Sequence, residues 1–172
     1  MAQQDISVLG LNTIPDGSGD VWVAPVNTEL TLASAPGNEL CVVLPASGSI
    51  STDTGIYGKF TVPQNYDGAP VLVIRGILNG APSSEVIAFG VQMKPLADDE
   101  AYDAAFHTQD IASASSVSQA DEDVYEENIT LTNSGPFAIS DDVDFFFYID
   151  DSVHTYTGTF LLTGLFFRYT TT

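Results

Sequence analysis

Residues 142–169 decide the fold, and they read DVDFFFYIDDSVHTYTGTFLLTGLFFRY. Residues 142–150 alternate with a period of two, which is typical of a β-strand with one apolar face. Residues 158–169 are apolar on both faces, so this strand needs cover on both sides. We expect the two strands to form a hairpin at the centre of a β-sandwich. The second strand is predicted to place Leu161, Leu165, Phe167 and Tyr169 on one face, and Phe160, Leu162 and Phe166 on the other.

Charge limits the partners of this chain. Its 172 residues contain 23 acidic and four basic side chains, which gives a net charge of −19. Such a surface repels nucleic acid and anionic lipid, so neither is expected as a partner. The acids are spread over many turns, which indicates a folded body with an acidic surface. The single cysteine, Cys41, lies in an apolar run and is expected to be buried.

The remaining sequence predicts an all-β protein. About ten short strands with turn residues between them favour an antiparallel jelly-roll-like β-sandwich. The connection between residues 96 and 123 is long enough for a Greek-key crossing from one sheet to the other. The Ser-, Thr- and Gly-rich stretch at residues 46–55 marks the expected boundary. Residues 1–50 are thus predicted to be an N-terminal β extension or clasp, and residues 51–172 the sandwich.

No motif indicates catalysis, a cofactor or a metal. Five acids surround the first strand of the quoted stretch and could be calcium ligands, but their spacing favours solvated turn acids. Glycoside hydrolysis needs two carboxylates facing one cleft, but in so acidic a chain almost any pair could be proposed, so this signal has almost no specificity. His107 and His154 are isolated and favour surface or core roles. The five acids are Asp141, Asp142, Asp144, Asp150 and Asp151.

The few bases and large aromatic residues are the better candidates for contacts. All four bases lie inside predicted strands, where each needs a carboxylate in its own chain or in a neighbouring subunit; both remain open. Trp22, Tyr66 and Tyr102 could stack on sugar rings, although packing in the core or an interface is favoured. The four bases are Lys59, Arg75, Lys94 and Arg168.

Residues 60–74 (FTVPQNYDGAPVLVI), 86–93 (VIAFGVQM) and 96–106 (LADDEAYDAAF) follow one another in an order that resembles tailed-phage virion proteins. Over residues 56–170 the pattern is similar to that of jelly-roll capsid cement or decoration proteins. The resemblance implies a non-enzymatic protein that forms trimers on the capsid exterior and needs no cofactor.

From this resemblance we expect a structural virion protein without an active site, which oligomerises and stabilises a phage capsid by binding the major capsid protein. The alternative is a phage tail or fibre head domain that binds host glycan, which predicts an exposed aromatic cluster beside loop acids. A third class, an enzyme acting on polysaccharide, predicts two carboxylates facing one groove. The expected contact residues are Trp22, Arg75, Phe146, Tyr148, Phe160, Phe166 and Arg168.

Overall fold

Two antiparallel sheets form the protein in a computed structural model, which confirms the predicted all-β sandwich. The structure describes residues 2–9, 14–15, 22–25, 40–47, 53–80, 84–97, 103–115 and 123–172, and these ranges contain no helix able to cross a membrane. The strands are β1 (Gln3–Ser7), β2 (Ile14–Pro15), β3 (Trp22–Pro25), β4 (Leu40–Leu44), β5 (Thr54–Thr61), β6 (Tyr66–Asn79), β7 (Val86–Leu96), β8 (Asp110–Ser115), β9 (Val124–Thr130), β10 (Asp142–Ile149) and β11 (Thr159–Thr171).

The strand order is that of a jelly roll. The six-stranded sheet has the order β3-β4-β11-β6-β9, with β1 also paired to β11, and the five-stranded sheet has the order β2-β5-β10-β7-β8. From β5 onward the chain crosses repeatedly between the sheets, as the double Greek key of a jelly roll requires. Strands from the first 50 residues pair in both sheets, while the predicted boundary at residue 50 stays a prediction.

The predicted hairpin of β10 and β11 is wrong, because the two strands lie in different sheets. Strand β10 pairs with β5 and β7, and β11 pairs with β6 on one side and with β1 and β4 on the other. Both strands are therefore central, and residues 150–158 carry the chain from one sheet to the other. Each strand has neighbours along both edges, which leaves neither edge available for the other strand.

The core lies between the two sheets and is rich in aromatic rings. Val143, Phe145, Phe147 and Ile149 are all fully buried, which confirms the alternation predicted for β10. Phe89 on β7 lies 5.5 Å from Phe147 in its own sheet and 5.0 Å from Phe160 of β11, measured between ring centroids. These ring contacts join the two sheets, and the buried apolar area is the main stabilising term of the fold.

A β-bulge in β11 places Phe160 and Phe166 on opposite faces of the sheet, although the sequence predicts that they share one face. The pairing with β6 shifts register between Leu162 and Gly164, so one extra residue changes the phase of the alternation. Phe160 and Leu162 consequently join the core together with Leu165, although the sequence places Phe160 and Leu165 on opposite faces. Phe160 is fully buried, and its expected place on an outer contact face is wrong.

Candidate functional site

A row of three aromatic rings crosses the outer face of the five-stranded sheet. Tyr57 on β5 lies directly opposite Phe146 on β10, and Tyr148 follows on the same face of β10. The ring centroids of Tyr57 and Phe146 are 4.5 Å apart, and those of Phe146 and Tyr148 are 5.0 Å apart. Both pairs are nearly parallel, with interplanar angles of 22° and 21°. We call Tyr57, Phe146 and Tyr148 the aromatic row.

Exposure decreases along the aromatic row from one end to the other. Tyr57 is 44% exposed, Phe146 is half-buried, and Tyr148 is 1% exposed. Tyr148 lies flat over Gly90 of β7, where an added Cβ would overlap the tyrosine ring. The Tyr148 hydroxyl donates to Oε1 of Gln109 at 3.0 Å, and burial raises the pKa of this phenol, assisted by the nearby charge of Asp53. Tyr148 thus anchors the row, and Tyr57 presents its ring to solvent.

A row of charged side chains runs beside the aromatic row on the same face. Asp144 of β10 lies opposite Lys59 on β5 and opposite Lys94 on β7. Its Oδ1 is 3.4 Å from Nζ of Lys59, and its Oδ2 is 3.2 Å from Nζ of Lys94. The Lys94 side chain is 9% exposed and that of Lys59 is 42% exposed. We call Lys59, Asp144 and Lys94 the ionic row.

Phe106 extends the aromatic surface from the loop before β8. Its ring centroid is 6.4 Å from that of Tyr57, and Nζ of Lys94 lies 5.6 Å from the centroid of the Phe106 ring. Two contacts of the next residue hold the loop: the His107 amide donates to the Met93 carbonyl at 2.9 Å, and His107 Nδ1 is 3.0 Å from the Gly135 carbonyl. This ring therefore connects the aromatic row to the ionic row.

The candidate site combines surfaces of two chemical kinds within one sheet face. The Tyr57 ring offers an apolar π-face with a hydroxyl at its tip. The ionic row offers ammonium donors next to a carboxylate acceptor, and the half-buried Gln92 adds an amide opposite Phe146. Such an arrangement suits a ligand that has an apolar flat side and a hydroxyl-rich edge. Among the described residues of this face, no nucleophilic side chain lies beside a general base that could activate it.

The predicted contact residues do not form one surface. Phe146 and Tyr148 belong to the aromatic row, whereas Arg75, Phe166 and Arg168 lie on the outer face of the six-stranded sheet. Phe160 lies in the core, and the side chain of Trp22 lies outside the described residues. Whether any of them contacts another chain stays a prediction.

Each of the four bases has a carboxylate partner within its own chain. The hypothesis of an inter-subunit ion pair is therefore not needed to explain why bases lie inside strands in so acidic a protein. The pairs are Lys59–Asp144 and Lys94–Asp144 on the five-stranded sheet, and Arg75–Glu126 at 2.6 Å and Arg168–Asp5 at 2.7 Å on the six-stranded sheet.

Of the other candidate sugar-stacking residues, Tyr66 is committed to internal packing. Its ring contacts Phe137, Phe167 and Tyr169, all at centroid distances of 6.0 to 6.5 Å, and burial raises the pKa of its phenol. Tyr102 lies outside the described residues. The outer face of the five-stranded sheet instead carries the rings of Tyr57 and Phe106, which the sequence did not single out.

Three acids meet at one end of the sandwich. Carboxylate oxygens of Asp53, Asp150 and Asp151 lie within 4.8 Å of one another. Asp150 and Asp151 belong to the five acids considered above as calcium ligands, and Asp53 precedes β5. The Asp151 amide donates to Asp53 at 3.3 Å, and Asp150 accepts from the amide and hydroxyl of Ser152. Burial, the contact with Asp151 and the charge of Asp150 raise the pKa of Asp53 to about 6. Calcium prefers six to eight oxygen ligands, more than these three carboxylates readily supply.

The two histidines lie apart. His107 is in the loop before β8, and His154 is buried in the connection between β10 and β11. Nδ1 of His154 accepts the Ala88 amide at 3.2 Å, and burial lowers the pKa of this imidazole to about 4. His154 is therefore a core histidine that carries no charge near neutral pH.

Comparisons with known proteins show a likeness of fold. No family model matches the chain, and no curated protein matches its sequence. The carbohydrate-binding module TmCBM27, studied for specific mannan recognition, is 8% identical with a TM-score of 0.48, over 99% of this chain and 100% of that one. The K1 cleaved adhesin domain of Lys-gingipain from Porphyromonas gingivalis is 12% identical with a TM-score of 0.47, over 99% of both chains.

Another match is to part of a larger protein. The arabinose-bound α-L-arabinofuranosidase MgGH51 is 12% identical with a TM-score of 0.48, and the match covers 92% of this chain but only 23% of that one. With identities of 8% and 12% and TM-scores of 0.47 and 0.48, these matches carry no conclusion about ligand or activity. By its strand order and outer surface, the protein is an antiparallel jelly-roll sandwich with an aromatic and ionic outer face.

Proposed function

We propose that this protein binds carbohydrate through the outer face of its five-stranded sheet. The observation that carries the proposal is the Tyr57 ring, which is 44% exposed at the open end of the aromatic row and next to the ionic row. A pyranose ring has an apolar C–H face and a rim of hydroxyls. The C–H face fits against an aromatic ring, and the hydroxyls exchange hydrogen bonds with charged side chains.

Rigidity of the support favours the same function. Phe146 is stacked against both tyrosines, and Tyr148 is fixed by Gly90 beneath it and by Gln109 at its hydroxyl. Sites on strands are held more precisely than sites on loops, and a preorganised surface loses less entropy when a ligand binds. Binding without turnover is the role proposed here.

Binding to polysaccharides can be tested by affinity electrophoresis of the purified chain through gels that contain soluble glycans. The wild-type protein is expected to be retarded by at least one polymer, and Tyr57→Ala is expected to weaken that binding at least about tenfold, or about 1.4 kcal/mol. Phe166→Ala is the matched control, because this half-buried ring lies on the opposite sheet face. Equal weakening by both variants, or no retardation by any polymer, would contradict the proposal. Release of reducing ends from the bound polymer would instead indicate an enzyme.

The capsid decoration function expected from the resemblance stays a prediction, as do the homotrimer, the major capsid protein as partner and the virion exterior as location. Its contact residues are divided between two opposite sheet faces and the core, so they do not mark one interface. The glycan-binding alternative predicts an exposed aromatic cluster beside loop acids; in the aromatic row Tyr57 is the exposed ring, and the nearby Asp144 lies on strand β10. Sedimentation of the protein, and its binding to emptied capsids, would test the capsid function directly.

A further inference from the structure

The charges around the aromatic row favour one class of carbohydrate, an inference that rests on the proposed function. The ionic row lies across three adjacent strands, which are spaced about 4.8 Å apart. Each oxygen of Asp144 faces a different ammonium group, Oδ1 facing Lys59 and Oδ2 facing Lys94. Donors and acceptors therefore alternate in a line that is perpendicular to the strands and parallel to the pair of Tyr57 and Phe146.

Charge in and next to the ionic row is balanced, while Asp53 adds negative charge near Tyr148. Asp142 precedes Asp144 by two residues and so lies on the same face of β10, where it accepts the Thr61 hydroxyl at 2.9 Å. Two lysines and two aspartates then offset one another. Beyond this face the protein carries a net charge of −19, and its two arginines are paired with carboxylates on the other sheet. The acidic surface would repel a polyanionic ligand, and the bases are already paired with carboxylates of this chain.

Hydroxyl groups suit the ionic row better than charged groups do. An ammonium group has three N–H donors, and a carboxylate has about four lone-pair positions, so both can accept contacts beyond their ion pair. The Lys59 side chain is 42% exposed, which allows a hydroxyl to approach its ammonium from solvent. One hydroxyl of a vicinal diol can donate to Asp144 while its neighbour accepts from Lys59.

We propose that the ligand is an uncharged polysaccharide that lies across the strands, with one sugar ring against Tyr57 and a vicinal diol on Asp144 and Lys59. In this arrangement Asp144 is the residue that determines specificity for hydroxyls over acidic groups. Polyuronates and sulfated glycans are excluded by the acidic surface. A basic glycan would be attracted by the whole surface and not by this face.

Affinity electrophoresis of the full chain against a set of polymers at 50 mM and 500 mM NaCl tests this inference. The neutral probes are hydroxyethyl cellulose, galactomannan, xylan and galactan; the acidic probes are polygalacturonate and dextran sulfate; the basic probe is chitosan. We expect at least one neutral polymer to bind with an affinity that changes less than about twofold between the two salt concentrations, because salt screens only charged contacts. The acidic polymers are expected not to bind at either concentration.

Variants identify the residues responsible. Asp144→Asn and Lys59→Gln are each expected to weaken binding to the neutral polymer at least about tenfold. Glu126→Gln, which alters an ion pair on the opposite face, is expected to leave binding unchanged. Lys59→Gln keeps the test decisive if Asp144→Asn does not fold, because Lys59 is the more exposed member of the row.

The outcomes separate this inference from the proposed function. Tyr57-dependent binding to an acidic polymer, or to chitosan with loss at 500 mM NaCl, would overturn the uncharged ligand while carbohydrate binding at this face still held. Tyr57-dependent binding to a neutral polymer that neither Asp144→Asn nor Lys59→Gln weakens would overturn the role of the ionic row. Failure to bind any polymer would overturn both.

Discussion

The outer faces of the two sheets carry the same kinds of side chain in different arrangements. On the six-stranded sheet, Arg75 lies over the Phe166 ring at 5.1 Å and pairs with Glu126. On the five-stranded sheet, the rings stack on one another and the lysines share Asp144, so Tyr57 remains 44% exposed. A base therefore lies over one ring on each sheet, Arg75 over Phe166 and Lys94 over Phe106, whereas the Tyr57 ring is exposed to solvent.

This difference shows that residue types alone do not define a binding surface. A cation placed over a ring uses the same π-face that a ligand would need. When the rings stack on one another, the π-face of the last ring, Tyr57, remains available to a ligand. Because Lys59 and Lys94 share Asp144, hydrogen-bond donors and acceptors lie in one line. The five-stranded sheet therefore has the better candidate surface, although both outer faces carry aromatic and charged side chains.

The largest expected effect concerns the glycine beneath each aromatic side chain. Gly90→Ala should destabilise the protein by about 2–3 kcal/mol, because the new methyl group overlaps the buried Tyr148 ring and forces it from its position. Gly164→Ala is the matched change on the other face, where the methyl group meets the Phe166 ring. Phe166 is half-buried and can move, so the cost should be below about 1 kcal/mol. Urea denaturation of both variants measures the difference.

Equal destabilisation by the two alanines would contradict this account of the faces. It would mean that Tyr148 is no more fixed than Phe166. Gly90→Ala should also weaken glycan binding, since the aromatic row loses its anchor, whereas Gly164→Ala should leave it unchanged.

A smaller effect is expected from neutralising one carboxylate on each face. Asp144→Asn should cost about 1–2 kcal/mol at pH 7, because it leaves two ammonium groups without their shared counter-charge and Lys94 is only 9% exposed. Glu126→Gln should cost less than about 0.5 kcal/mol, because both side chains of the Arg75–Glu126 pair are about 40% exposed. Denaturation in urea, which leaves ion pairs unscreened, is the appropriate measurement. A larger cost for Glu126→Gln would reverse the ranking of the two faces.

How far the sequence predicts this molecule can be judged from β10 and β11. The alternation in β10 correctly gives its buried face, because a regular strand keeps a period of two. In β11 the same rule fails at the bulge near Gly164, and Phe160 is placed on the wrong side, although an isolated glycine inside an apolar strand is a signal for such a bulge. The jelly-roll class follows from the number and spacing of strands. Assignment of β10 and β11 to different sheets depends on which strands compete for their edges, and that is a long-range property.

The site is predictable only in part for the same reason. Phe146 and Tyr148 can be chosen from the sequence, since they alternate with the buried residues of β10. Tyr57 lies beside them because of the register of β5 against β10. Phe106 lies in a loop about forty residues earlier in the chain. Neither position has a local signal. The charged partners Lys59 and Lys94 are visible as bases within strands, but their common carboxylate is visible only in the sheet.

The smallest expected effect is a pH dependence on the six-stranded sheet. The hydrogen bond from Arg168 holds the pKa of Asp5 below its ordinary value of 3.8, despite partial burial. A lowered pKa in the folded state means that the pair stabilises the protein above pH 3.8 and that this contribution is lost as the pH falls through the folded-state pKa. Asp5→Asn should therefore cost less than about 1 kcal/mol at pH 6, and the cost should shrink steadily below pH 3.8.

A double-mutant cycle with Arg168→Gln isolates this pair from the rest of the acidic surface. Asp5 and Arg168 are opposite one another in the β1–β11 pairing, so the pair also helps to hold β1 at the edge of β11. Since its side chains are 23% and 32% exposed, the coupling should weaken in 1 M NaCl. The Asp144–Lys94 coupling, from side chains that are 17% and 9% exposed, should weaken less. Equal salt sensitivity of the two couplings would show that the ionic row is as solvated as the pairs on the opposite face, and would remove its advantage as a preorganised site.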